Sequence, residues 1–218
     1  MIGTILGQRY KIIKPLGTKR IGETYLAEDL DSPLAPKSLC IVKQFQPRAT
    51  DPEIGNLFER EAGILHQLGG ECHQIPKLLS YFQEGGQFYL VQEFIDGIDL
   101  SQELAPGKPW SEIQVIKFLQ EVLEVLAPIH QNQVIHGHIK PKNILRRRQD
   151  GKLVLIGFGI LEGVRPRSED ESGLGETSVA ICPLGYVPSE QAIGQPELSS
   201  DIYAVGMLAI QALTGMPP

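Results

Sequence analysis

Up to Phe94 the chain is a succession of short apolar runs with strand-like alternation; beyond Gly97 apolar residues recur at helical spacing. Residues 10–16, 24–27 and 39–45 predict three strands, the first broken by Pro15 ahead of Gly17, with a turn-rich connector over 29–36. Residues 52–68 place Ile54, Leu57, Phe58, Ala62, Leu65 and Leu68 along one side of a helix. Asp51 is its expected N-cap, Pro52 its first residue and Gly69-Gly70 its stop. Strands over 78–83 and 87–94 flank a Gly85-Gly86 turn. The character then changes. Ser111 and Glu112 open a long helix with Val115, Phe118, Leu119, Val122, Leu123 and Leu126 on its apolar face. A short hairpin, a polar glycine-rich region over 162–178 and an apolar helix over 201–213 complete the order. Five strands with one helix, followed by mostly helix, predict an α+β pair of lobes, 1–96 and 97–218, joined near 93–97.

Composition alters this picture little. The 218 residues are 42% hydrophobic and 21% charged, enough for one large domain or two small ones with real cores. A net charge of −6 gives no reason to expect nucleic acid or an anionic membrane as partner. The apolar run 202–216 is interrupted by Gln211 and is too short to span a bilayer, and residues 1–10 lack the features of a signal peptide. Cys40, Cys72 and Cys182 lie far apart without CxxC spacing and read as reduced thiols, so a cytoplasmic location is expected. Arg146-Arg147-Arg148, with Gln149-Asp150-Gly151, reads as a solvated hairpin turn rather than a binding patch.

Candidate chemistry is concentrated in one stretch, His136-Gly137-His138-Ile139-Lys140-Pro141-Lys142-Asn143-Ile144-Leu145, followed after a short strand by Gly157-Phe158-Gly159. It resembles the catalytic loop H-R-D-L-x-x-x-N and the metal-binding turn D-F-G of the protein-kinase family. Other segments fit the same family. Residues 16–25 resemble the loop G-x-G-x-x-G-x-V that covers ATP phosphates, with Gly17 and Gly22 present, Lys19 in place of the second glycine and Thr24 in the nucleotide-binding set that the resemblance implies. An ordinary hairpin turn explains that segment alone equally well. Cys40-Ile41-Val42-Lys43 resembles V-A-I-K, and Glu61 falls where the resemblance implies the lysine's partner. Ile41 replaces the family's alanine and is expected to make the purine slot shallower. Residues 90–100 resemble the hinge: Gln92 is at the gatekeeper position, Glu93 and Ile95 offer backbone groups to a purine, and Asp99 reaches a ribose hydroxyl. An edge strand running into a turn is the alternative. Leu145 completes the implied nucleotide-binding set. Residues 185–190 resemble the A-P-E end of the activation segment, whose preceding threonine corresponds to Pro183. Residues 167–172 are either a phosphorylation target or a solvated loop. Asp201 corresponds to the aspartate that braces the catalytic loop.

Two departures decide what the resemblance means. His138 stands where the family has its catalytic aspartate; an imidazole is mostly neutral at pH 7 and accepts a proton, but it is bulkier and carries no negative charge to orient a hydroxyl. Gly157 stands where the family has its metal-binding aspartate, which leaves Asn143 as the one implied protein ligand for Mg²⁺. Gly137 replaces the loop's arginine and removes the cation that receives a phosphorylated activation loop.

The resemblance, a close one to bacterial Ser/Thr kinases of the eukaryotic type, implies a bilobal fold. It has a five-stranded antiparallel sheet with one main helix, then a mostly helical lobe short of its last helices. His138, Lys140 and Asn143 are the candidate catalytic residues. ATP is expected to bind weakly or without metal, and Mg²⁺ is not expected to be well held. The favoured function is a pseudokinase acting as a binding or regulatory module. Its partner is a signalling protein or a second copy, docked on the apolar helix 201–213. A low-activity Ser/Thr kinase is the first alternative. A small-molecule phosphotransferase, suggested by His136-Gly137-His138, is the second.

Overall fold

The alternating runs before Phe94 form one antiparallel sheet in the computed structural model, which describes residues 1–19, 22–33, 36–45, 54–158 and 184–218. The chain divides into two units, Met1–Ile95 and Asp96–Pro218. In the first, strands β1 (Ile5–Leu6), β2 (Tyr10–Lys19), β3 (Gly22–Asp29), β4 (Leu39–Phe45), β5 (Leu78–Glu84) and β6 (Gln87–Glu93) take the order β1-β2-β3-β4-β6-β5. The sheet thus has six strands, not five: β1 is two residues long, too short to leave an alternation pattern. Pro15 does not end β2. The pairing shifts register between Ile12 and Lys14 and again between Pro15 and Gly17, and such bulges accommodate a residue that cannot donate to the ladder.

Period-two alternation gives the sheet two apolar faces. One gathers Leu6, Tyr10, Ile12, Tyr25, Ala27, Cys40, Val42, Tyr89 and Val91, with Phe82 against them. The ring of Tyr10 stacks on Phe82 at 6.3 Å and the Gly7 N–H donates to Glu84 Oε2 at 3.0 Å, so the sheet curls until its first turn meets β5. The other face receives helix α1 (Ile54–Glu71), whose Phe58 meets Phe45, Tyr81 and Phe88 at centroid distances of 5.0 to 6.0 Å. The helix continues through Gly69-Gly70. A Cβ on Gly69 would lie 2.6 Å from the Pro76 carbonyl oxygen, so this glycine answers to packing rather than to helix termination. The expected cap at Asp51-Pro52 lies outside the described residues.

In the second unit, β7 (Gly97–Asp99), β8 (Ile144–Arg147) and β9 (Leu153–Leu155) form a small antiparallel sheet. Around it are α2 (Leu100–Glu103), α3 (Glu112–Gln131), α4 (Ser189–Ala192) and α5 (Leu198–Thr214). Ser111 caps α3 in a capping box with Gln114. Its buried face is Val115, Phe118, Val122, Val125, Leu126 and Ile129; Leu123, expected inside, is exposed. Helices α3 and α5 run antiparallel, tied by His130 and Asp201 at one end and by the Trp110 N–H to the Ala212 carbonyl at the other. Arg146 is not a solvated turn residue. It lies in β8, forked onto Glu103 at 2.8 and 3.1 Å and reaching Glu121 at 3.2 Å. The glycine-rich region 162–178 and Pro183 lie outside the described residues, as does Cys182. No helix among the described residues is long and apolar enough to cross a membrane.

Candidate functional site

The first unit presents Thr24, Ile41 and Lys43 on the sheet face that meets α1. Strand pairing sets Gly17 opposite Thr24, Thr24 opposite Lys43, and Ile41 between Leu26 and Gln92. Lys43 Nζ lies 3.1 Å from Glu61 Oε1, and the Glu61 side chain is 2% exposed. A buried carboxylate persists only when paired, so this contact fixes the rotation of α1 over the sheet. The two loop glycines differ. A Cβ on Gly22 would lie 1.7 Å from the Gln44 carbonyl oxygen, whereas a Cβ on Gly17 meets nothing within 4 Å. Gly22 is therefore demanded by the β3–β4 approach, and Gly17 by nothing in the described fold. The Glu93 N–H is committed to the Lys77 carbonyl at 2.9 Å, and Ile95 is buried.

The second unit holds the loop. Asp201, 1% exposed, accepts from the His136 N–H and the Gly137 N–H, each at 2.8 Å, and lies 2.9 Å from His130 Nε2. Gly137 takes φ +68°, a left-handed conformation open to glycine, and its carbonyl accepts from Gln191 Nε2 at 2.6 Å. The His136 ring packs on Phe158 at 4.6 Å. Beyond this brace the chain turns through Pro141–Asn143, and the Asn143 amide donates to the His138 carbonyl at 2.8 Å. His138 is 5% exposed, and its Nε2 lies 2.5 Å from Lys140 Nζ. An ammonium only donates, so Nε2 is the acceptor and its lone pair points at the lysine.

Gly157 also takes a left-handed φ, +74°, and a Cβ there would lie 3.3 Å from Asn143 Oδ1. No group of three or more His, Cys, Asp or Glu side chains suited to a metal ion is gathered among the described residues. Asp99 sits opposite Leu145 in the β7–β8 register and caps α2, accepting from the Ser101 N–H at 3.0 Å and from Gln102 at 3.2 Å. Partial burial works against its ionised form, but these hydrogen bonds overcome it and hold the carboxyl below its ordinary range. His130 and Gln191 escaped the sequence reading. The signal available for His130 was its place in the last turn of a helix, where a cation or ring donor is favoured.

This sheet, helix and braced loop define a protein kinase domain, and the protein kinase domain model matches residues 10–218. The chain belongs to that family. Serine/threonine-protein kinase C of Synechocystis sp. is 44% identical over 218 residues, covering 98% of this chain and 40% of the relative. Serine/threonine-protein kinase PknA of Nostoc sp. is 43% identical, with 98% and 38% covered. The chain thus spans about two fifths of the length of the curated relatives it matches. Among solved structures, a double mutant of the Mycobacterium tuberculosis PknI kinase domain superposes with a TM-score of 0.73 at 23% identity, over 100% of this chain and 77% of that one.

Proposed function

We propose that this chain is a catalytically degenerate kinase domain that works as a nucleotide-responsive binding module. The observation that carries the reading is the 2.5 Å contact between Lys140 Nζ and His138 Nε2. A general base must offer its lone pair to the substrate hydroxyl. Here that lone pair is already engaged by an ammonium, and a substrate has to break a charge-assisted hydrogen bond to reach it. The residues on hand also do not fit Mg²⁺. Hard cations take oxygen ligands, usually with a carboxylate among them, whereas Gly157 brings none and Asn143 offers a single neutral amide oxygen. What remains is suited to gripping: Lys43 set by Glu61, Lys140 set by His138, and an open approach at Gly17.

A low-activity Ser/Thr protein kinase is the second reading. The names of the relatives at 44% and 43% identity favour it, and phosphoryl transfer depends mostly on positioning and charge. Two assays divide the readings. Thermal shift with ATP, with and without Mg²⁺, is expected to show a metal-indifferent stabilisation. Transfer of labelled phosphate to casein is expected to be negligible; slow but Mg²⁺-dependent transfer would favour the second reading, and turnover near the ~1–100 s⁻¹ of ordinary kinases would overturn the first.

A further inference from the structure

The first sheet has two edges, β1 and β5. An edge strand shows unpaired N–H and C=O groups to any chain that lies alongside it. β1 is two residues long and offers hardly any. β5 is seven residues long and contains neither proline nor lysine, the residues that commonly guard an edge. Its hairpin with β6 turns through Gly85 and Gly86, at φ +58° and +75°, so Glu84 and Gln87 exchange their backbone hydrogen bonds. The alternation then directs the N–H and C=O of Tyr81 and Gln83 away from β6. The register shift between Leu78 and Ser80 lies ahead of both, and these outward groups have no backbone partner among the described residues.

The two sides of this edge differ in chemistry. Tyr81, 53% exposed, stands on the side that meets α1, packed on Phe58. Ser80, Phe82 and Glu84 line the other side, where an open cleft of about 490 Å³ lies between them and the turn from β1 to β2. In that cleft Arg9 is answered by Asp29 at 2.6 Å and by Asp31 at 3.6 Å. Glu84 accepts from the Gly7 N–H and has no cationic partner among the described residues. The excess charge of the cleft is therefore negative. A strand laid along β5 sets its side chains alternately on the Tyr81 side and on the cleft side.

We infer that the outer edge of β5 takes up an extended segment of a partner protein as an added strand, in which apolar residues on the Tyr81 side alternate with lysine or arginine directed at Glu84. Main-chain hydrogen bonds to Tyr81 and Gln83 supply the affinity, and the alternating side chains supply the choice of partner. A second copy of this chain is the poorer occupant. Its own β5 has no Lys or Arg to meet Glu84 and brings another carboxylate instead.

The test is fluorescence anisotropy of a labelled hexapeptide alternating lysine and valine, titrated with the whole chain. It is expected to bind, and a peptide with glutamate for lysine is expected to bind severalfold more weakly. Glu84→Gln is expected to lower affinity about twofold to fivefold, the worth of an exposed ion pair. Gln83→Pro keeps the ladder to β6, because the N–H it removes faces outward, and is expected to lower affinity about tenfold. If Gln83→Pro does not fold, the peptide carries the same test: methylating one alternate set of its backbone nitrogens is expected to abolish binding and methylating the other to spare it. Unchanged affinity for folded Gln83→Pro, equal effects of the two methylations, a glutamate peptide that binds as well as the lysine one, or no binding of the lysine peptide would each overturn the inference. Dimerisation of the parent that Gln83→Pro abolishes, with no peptide bound, assigns the edge to a second copy and overturns it as well.

Discussion

Gly17 lies near the end of β2 and Gly22 at the start of β3, but the described fold requires only one of them. A methyl on Gly22 would meet the Gln44 carbonyl, so Gly22→Ala is expected to cost ~1–3 kcal/mol of stability by forcing β3 from β4. Gly17→Ala has open space and is expected to stay within about 0.5 kcal/mol of the parent. Urea denaturation of both variants checks the pair; equal losses would contradict the distinction. Cys40 gives a second residue-scale outcome. Burial pushes its thiol up to about 12, so it is expected to resist disulfide reagents at pH 8 until the chain unfolds. A variant lacking Cys72 and Cys182 isolates that thiol for the measurement. Gly157 sets the terms of any restoration. Its φ of +74° is one that aspartate tolerates better than most residues, so Gly157→Asp carries strain without being forbidden.

At the scale of elements, the catalytic loop is held by a carboxylate from another helix. Asp201→Ala strands the buried His136 N–H and the part-buried Gly137 N–H and is expected to cost several kcal/mol, at ~1–3 for each unsatisfied donor. Asp201→Asn keeps an acceptor and is expected to lose less; chemical denaturation ranks the two. The β2–β3 edge has an acid-sensitive clasp. Arg9 forks onto Asp29 at 2.6 and 2.7 Å and holds that carboxyl below its ordinary range, against the opposing effect of burial. A depressed folded value means the clasp stabilises fully above the unfolded value, about 3.9, and is lost as pH falls through the lower folded one. Asp29→Asn is therefore expected to flatten the fall in urea midpoint below about pH 4. These elements also mark what the sequence made legible. The stretch 136–145 could be read because its residues are contiguous and fixed in spacing, and Lys43 and Glu61 because each sits on a patterned element. The His130–Asp201 contact joins residues 71 apart, and Gln191 reaches Gly137 across 54, so no local pattern announced either. Strand β1 was too short for periodicity, and Pro15 misled because bulges absorb a proline that a regular ladder rejects.

At the scale of the whole molecule, α5 is apolar on more than one side. No charged residue follows Asp201, and Ile202, Tyr203, Ile210 and Leu213 are all exposed. A helix apolar all round is usually covered. The proposed partner, a signalling protein or a second copy, is expected to use this side, and sedimentation of Ile210→Glu against the parent at rising concentration checks self-association. On the proposed reading the loop holds phosphate but hardly transfers it. Its most direct test is the rate of labelled phosphate transfer from Mg²⁺·ATP by the parent chain and by the double variant His138→Asp, Gly157→Asp. A parent rate at least ~10²-fold below ordinary kinases is expected, with a rise of similar size in the variant, the scale of general-base help. A parent chain that already turns over at ordinary rates, with no gain from the two carboxylates, would contradict that reading.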